Sequence, residues 1–198
     1  MTWLNPVTLQ NGHVILEPLE RRHESELIEA ARDGELWNLW YTNVPTPETM
    51  GTEIDRRLGL QAAGSMLPFA VIEPATGKAA GITTYMAADA ANKRLEIGYT
   101  WYCKSVQRTP LNTSCKLLLL THAFEKLDCM AVEFRTHIFN HPSRRGIERL
   151  GAKLDGILRN HQISRNGTVR DTCVYSIIAT EWPVVKSNLE WQLSRPRT

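Results

Sequence analysis

Two glutamates stand where a carboxylate can move a proton. Glu96 lies in the strand-like stretch Arg94-Leu95-Glu96-Ile97-Gly98-Tyr99-Thr100-Trp101, which runs through a polar turn into a strongly apolar helix. Glu133 lies in a second such stretch, Ala131-Val132-Glu133-Phe134-Arg135-Thr136-His137-Ile138. Side chains alternate along a strand, so Glu133, Arg135 and His137 share a face, and a Glu133–Arg135 surface ion pair stands beside the reading of Glu133 as a base. His13, His23, His122, His137, His141 and His161 are further groups able to exchange protons near neutral pH. His122 falls inside the apolar helix and reads as a packed residue, while His141 and His161 are held in reserve. Cys103, Cys115, Cys129 and Cys173 are spaced by 12, 14 and 44 residues, which matches neither paired zinc ligands nor a C-x-x-C redox motif. They read as free or buried thiols, no metal is expected, and Cys103 has no His or Asp partner at a readable spacing to make it a nucleophile.

Charge supplies the second signal. The 198 residues carry a net +2, but residues 1–64 hold ten acidic and five basic side chains, so the positive charge sits in the rest. It concentrates between Arg135 and Arg170, where eight Lys/Arg face only Glu148 and Asp155. Such a stretch attracts anions, with a solvated basic face as the alternative. The aromatic residues are not interleaved with the basic ones, so a small phosphorylated ligand fits better than nucleic acid.

The elements that must position these groups are legible from punctuation and periodicity. With 42% hydrophobic residues and 22% charged ones, the chain has the composition of one packed domain, taken as 1–198 with a C-terminal tail from about 183. No apolar run approaches the roughly 20 residues that span a bilayer, and the start Met1-Thr2-Trp3-Leu4-Asn5-Pro6 lacks a targeting pattern, so the expected compartment is the cytoplasm. The pattern predicts a strand over 13–19, helices over 20–36 and 48–64, and strands over 67–73, 79–87 and 94–101. Next come the apolar helix, a strand over 131–138, a short helix over 143–150 stopped by Gly151, strands over 152–163 and 172–180 joined at Asn166-Gly167, and a last helix opening near Pro183. Asn112, Thr113 and Ser114 are all credible N-caps for the apolar helix. A helix entered from a strand through a polar turn aims its unpaired N–H groups and positive dipole end beyond the strand end, where phosphate is the usual occupant.

This order resembles the GNAT superfamily of acetyl-CoA-dependent N-acetyltransferases. The resemblance rests on Glu96-Ile97-Gly98-Tyr99, the turn before the apolar helix, Asn140-x-x-Ser143, the Leu150-Gly151-Ala152 ending and Asp171-x-x-x-Tyr175-Ser176-Ile177 before Glu181-Trp182. It covers about 13–182 and is strongest toward the branch containing the Rim-type ribosomal-protein N-acetyltransferases. It implies an α/β (α+β) fold with a mixed, mostly antiparallel central sheet and helices on both faces. It also implies acetyl-CoA as cosubstrate and an amine acceptor, either a protein N-terminus or a small molecule. A homodimer is a mild expectation.

The resemblance places a cofactor cradle on Gln107, Arg108, Thr109, Pro110, Leu111 and Asn112, where the family has Gln/Arg-x-x-Gly-x-Gly/Ala. Pro110 has no N–H to give and Asn112 carries a side chain where the family has almost none, so the cradle must differ in detail. Arg108 and Thr113 are available to compensate. Trp101, Tyr102 and Cys103 would pair with the pantetheine arm, a backbone N–H near 100–102 would meet the thioester oxygen, Asn140 would bond the pantetheine, and Arg144 would approach the phosphates. Ser143 would stabilise the leaving thiolate, against the plainer reading of an N-cap. Glu96 is the first candidate for the base that takes the amine proton, with Glu133 its competitor. The acidic first third would favour a cationic acceptor, and Trp37, Trp40 and Tyr41 would line its pocket or pack in the core. A CoA-binding regulatory protein and an RNA- or ribosome-associated binder remain the alternatives.

Overall fold

The computed structural model describes residues 3–195; positions 1, 2 and 196–198, the ends of the expected domain and of its tail, lie outside the described residues. The described chain forms one eight-stranded sheet in the order β1-β2-β3-β4-β5-β6-β8-β7. Its strands are β1 (Leu9–Asn11), β2 (Val14–Pro18), β3 (Met66–Glu73), β4 (Lys78–Asp89), β5 (Arg94–Tyr102), β6 (Ala131–His137), β7 (Lys153–Ile163) and β8 (Val169–Ile178). The helices are α1 (Glu24–Arg32), α2 (Met50–Ala62), α3 (Leu111–Glu125), α4 (His141–Arg149) and α5 (Trp182–Ser194). Every pairing is antiparallel except β5 with β6.

Strand alternation distributes the helices over the two faces. Thr84 of β4 accepts from Arg57 of α2 at 2.7 Å, while its neighbour Tyr85 points the other way and donates to the Leu119 carbonyl of α3 at 2.5 Å. The helices α1 and α2 thus cover one face, and α3, backed by α5, covers the other. The core runs through both layers, with Leu16, Phe69, Ile82, Leu119, Val132 and Tyr175 among the fully buried side chains.

Local differences from the sequence expectations have physical causes. The helix expected over 20–36 begins as a 3-10 turn at Arg21–His23 and continues as α1 only to Arg32; Gly34 and Glu35 then take positive φ, which ends it. None of the three expected N-caps opens α3: it starts two residues after Thr109, whose hydroxyl accepts from the Leu111 N–H at 3.3 Å, with Pro110 at the cap position. Helix α4 starts at His141, because the Asn140 side chain caps it by accepting from the Ser143 N–H at 3.1 Å. At its other end Gly151 takes φ +100°, a conformation that L side chains rarely adopt, and stops the helix as expected. The short β1 was not foreseen, since three residues carry too little periodicity to read.

Candidate active site

The site grows out of the one parallel pairing. The ladder between β5 and β6 contains only Arg94↔Ala131, Leu95↔Val132 and Glu96↔Glu133, and beyond Glu96 the strands part. On the opposite edge β5 stays bonded to β4, but Gly98 to Trp101 spans one residue more than Thr84 to Ile82, a β-bulge at which Tyr99 takes φ +47°. The bulge is held from both faces. Arg56 and Arg57 of α2 each lie 5.1 Å from the centre of the Tyr99 ring, and on the α3 side the Lys116 ammonium donates to Thr100 Oγ1 at 3.1 Å and Thr83 Oγ1 at 3.4 Å. Lys116 is buried with no carboxylate within ion-pair distance among the described residues, and burial pushes its pKa down to about 8. Past the bulge the Cys103 N–H bonds the Ala80 carbonyl at 2.8 Å; N–H groups alternate sides along a strand, so that of Tyr102 points into the opening between β5 and β6.

Glu96 and Glu133 point to the same face, the one covered by α1 and α2, and their surroundings separate them. Arg94 donates to Glu133 at 2.6 Å and Arg135 at 2.9 Å. Burial works against ionisation of Glu133, but these bonds outweigh it and hold the carboxyl below its ordinary range. Glu96 is 7% exposed, and its nearest cation, Arg135, is 3.6 Å away. Burial raises its pKa to about 7; Arg135 and Arg170 pull it down and Glu133 pushes it up. The carboxylate leans over Gly98, where a Cβ would stand 2.9 Å from Glu96 Oε1 and 2.7 Å from Met86 Sδ, so this glycine leaves room for the acid.

The expected cradle follows the bulge. Arg108 takes φ +63°, Gln107 donates to the Tyr102 carbonyl at 3.0 Å, and Thr109 Oγ1 donates to the Val106 carbonyl at 2.7 Å. With Pro110 lacking an N–H and that of Leu111 bonded to Thr109, the backbone donors left in the first turn of α3 are those of Asn112 and Thr113, which have no intrahelical acceptor. The Thr113 hydroxyl accepts from Arg149 of α4 at 3.1 Å. Trp101, Tyr102 and Cys103 are all buried at the end of β5, and all four cysteines are free, buried thiols. Asn140 and Ser143 sit where β6 enters α4; the Asn140 carbonyl oxygen serves as the cap, and the Ser143 side chain is half-buried. Arg144 binds within the fold, donating to Tyr175 Oη at 3.1 Å and the Ile138 carbonyl at 3.3 Å. The residues therefore fit a bound pyrophosphate through the two α3 amides and the adjacent Arg108 rather than through a small-residue cradle.

A cavity lies not at this cradle but across the opening, on the face of Glu96. It measures ≈ 430 Å³ and is lined by Trp40, His137, Phe139, Arg170 and Asp171 among others; a smaller one of ≈ 70 Å³ adjoins it, with Tyr41 and Arg165 in its wall. Trp40 is 49% exposed and packs edge-on against His137 at 5.0 Å. Trp37 instead rests against the core, so two of the three aromatics face cavities and one packs. No carboxylate from residues 1–64 lines either cavity. Several of those acids bind elsewhere, Glu53 to Arg56 and Arg57, Glu29 to Lys78 and Asp33 to the Ser105 amide. Sequence reasoning missed His137 and Arg170 as lining residues. His137 was legible only through its shared face with Glu133; Arg170 was one member of a basic stretch. Of the reserve histidines, His141 is exposed and His161 bonds Thr172 Oγ1 at 3.1 Å.

Residues 13–153 match the model of the acetyltransferase (GNAT) domain. The chain belongs to the GNAT acetyltransferase family. Its curated relative YdaF of Bacillus subtilis (strain 168), provisionally named a ribosomal N-acetyltransferase, is 31% identical over 106 residues, 54% of this chain and 57% of YdaF; the chain thus spans little more than half the length of that relative. This likeness agrees with the Rim-type branch of GNAT proteins. The crystal structure of an acetyltransferase from T. thermophilus is 33% identical, with a TM-score of 0.84 over 96% of this chain and 99% of that one. A GCN5-related N-acetyltransferase from Brucella melitensis is 31% identical, with a TM-score of 0.86 over 96% and 87%. The eight-stranded, mostly antiparallel sheet and its five helices are the GNAT fold. None of the described helices is long and apolar enough to cross a membrane.

Proposed function

We propose that the chain transfers an acetyl group from acetyl-CoA to a primary amine by direct attack in a ternary complex. The observation that carries this reading is Glu96, a buried carboxyl with a pKa near 7 beside the parting of β5 and β6 in a GNAT chain. A group with that pKa is half ionised at neutral pH and accepts a proton from an ammonium, directly or through one water. The neutral amine attacks the thioester carbonyl, the N–C bond forms as the C–S bond breaks, and the thiolate leaves with a proton from solvent or the amine. The Tyr102 N–H would bond the carbonyl oxygen as negative charge develops on it, and Ser143 would bond the departing sulfur. The α3 amides and Arg108 would hold the pyrophosphate. No covalent enzyme intermediate is needed, which suits four buried thiols.

The name of YdaF favours a protein N-terminus as acceptor, and the cytoplasm as the place where ribosomal proteins are met. The test is isothermal titration with CoA and acetyl-CoA, with ATP as the anionic control, followed by thiol release over a panel of N-terminal peptides and small amines. Binding of both CoA species with little binding of ATP, and turnover on at least one amine, is the expected result. CoA binding without turnover across the panel would favour the regulatory alternative.

A further inference from the structure

The cavity wall contains a guanidinium that no described carboxylate contacts directly; Glu96 acts on it only at longer range. Arg170 is half-buried and lines both cavities. Its Nε and one terminal nitrogen both donate to Thr172 Oγ1, at 3.3 and 3.1 Å, and among the described residues no carboxylate lies within ion-pair distance of it. A guanidinium has five N–H donors and a planar fork matched to a carboxylate, so one neutral hydroxyl leaves most of its capacity unused in a site where water is partly excluded. Two acids lie nearby, and neither bonds the guanidinium. Glu96 has Arg135 at 3.6 Å, and Asp171, the one carboxylate in the cavity wall, accepts the Asn160 amide at 2.8 Å through Oδ1. Arg165 in the smaller cavity adds a second positive charge. Across from Arg170, Trp40 and Phe139 offer apolar surface, their rings 6.1 Å apart. A volume of ≈ 430 Å³ falls in the range of pockets that enclose small ligands or a few residues of a peptide.

Building on the amine acetyltransferase reading of the same site, we propose that the acceptor carries a carboxylate besides its amine, and that Arg170 is the residue that selects it. The amine faces Glu96, the carboxylate takes the open fork of Arg170, and an apolar portion lies against Trp40 and Phe139. Two sources share this chemistry, a free amino acid and a peptide with an acidic residue close to its N-terminus. A role for Arg170 limited to tuning Glu96 would alter the rate with every acceptor alike, whereas selection alters only the ratio between acidic and neutral partners.

The test uses matched pairs: a free amino acid against its amide, and peptides with Asp or Glu at the second or third position against the same peptides with Asn or Gln. Binding is titrated to the full chain in the presence of CoA, and turnover is followed separately by thiol release with acetyl-CoA. Wild type should prefer the carboxylated member of one pair by about tenfold, the scale of one charge-assisted contact, and which pair does so names the source. Arg170→Gln should bring that ratio close to one, and Arg170→Lys should keep part of it, with circular dichroism confirming the fold of each. A wild-type ratio within twofold, a ratio unchanged in Arg170→Gln, or no binding of any carboxylated member overturns the proposal. A preference in binding without transfer to any amine would instead remove the acetyltransferase reading and leave Arg170 as a carboxylate receptor.

Discussion

Glu96 and Glu133 are register partners in the last rung of the parallel β5–β6 ladder, yet only Glu133 is tied down by hydrogen-bonded arginines. Arg135 bonds Glu133 at 2.9 Å and stops 3.6 Å short of Glu96. Two carboxylates with the same chemistry are thereby sorted, one fixed as an anion and the other left to titrate near neutrality.

Glu96→Gln should lower kcat by roughly a hundredfold or more while the affinity for acetyl-CoA stays within about twofold. In wild type, log kcat/KM should rise with pH and level off above about 7, the pKa of Glu96, and this limb should vanish in the variant. Stability carries the same signature. A carboxyl raised from 4.5 to about 7 on folding binds more protons folded than unfolded between those values, so its contribution is complete below pH 4.5 and lost as pH rises through 7. Denaturant melts should show Glu96→Gln gaining on wild type as pH climbs across that window.

Gly98→Ala should damage activity more than stability. The new Cβ would stand 2.9 Å from Glu96 Oε1 and 2.7 Å from Met86 Sδ, both far ends of flexible side chains, so the strand survives while the carboxylate moves. A fall in kcat of tenfold or more, with a stability loss under about 2 kcal/mol, is the expected pair of readings.

Arg108→Gly should separate two properties. Arg108 sits at φ +63°, where a non-glycine residue is strained by about 1 kcal/mol, a relief that the freer unfolded chain of a glycine offsets, so thermal stability should stay within about 1 kcal/mol. The variant also loses the guanidinium proposed to hold the pyrophosphate, and CoA affinity by titration should drop by about tenfold. Unchanged affinity would take Arg108 out of the cradle.

Asn140→Ala and Ser143→Ala should divide structure from chemistry at the start of α4. Asn140 caps the helix and Ser143 does not, so the first should cost about 1 kcal/mol and the second well under that. A rate loss of more than twofold in Ser143→Ala, with stability kept, is expected from a thiolate partner; rates within twofold would dismiss that role.

Lys116→Met should stabilise the fold at neutral pH. A lysine whose pKa falls from 10.5 to about 8 on folding binds more protons unfolded than folded between these values, so wild-type stability should climb from pH 8 to 10.5. The variant should lack that slope. Since Lys116 also grips Thr100, a loss of kcat beside the gain in stability would mark the bulge as what the buried charge holds in place.

The sequence disclosed the order of elements well because long alternating or apolar stretches carry it, as from Arg94 to Trp101 and from Leu117 to Leu120. It disclosed ends poorly where a single side chain decides: Asn140 rather than Ser143 caps α4, and Thr109 supplies the first bond of α3. The reactive face was partly readable, since alternation joins Glu133, Arg135 and His137. The cavity was not, because Trp40 and Arg170 are 130 positions apart and meet only once β8 lies next to β6. Pairing within the acidic first third was equally hidden: counting charges does not reveal that Arg21 holds Asp55 and that Arg57 holds Glu53.

The sheet is stitched across its middle by three residue pairs, with β1 to β5 on one side and β6, β8 and β7 on the other. In shape this is a book with a short spine, its pages parted from Glu96 onward. The connection between α1 and α2 reaches over from the first page and seats Trp40 on His137 of the second. The cavity wall is therefore bound from both halves of the sheet, and Trp40 is the stitch that joins them there.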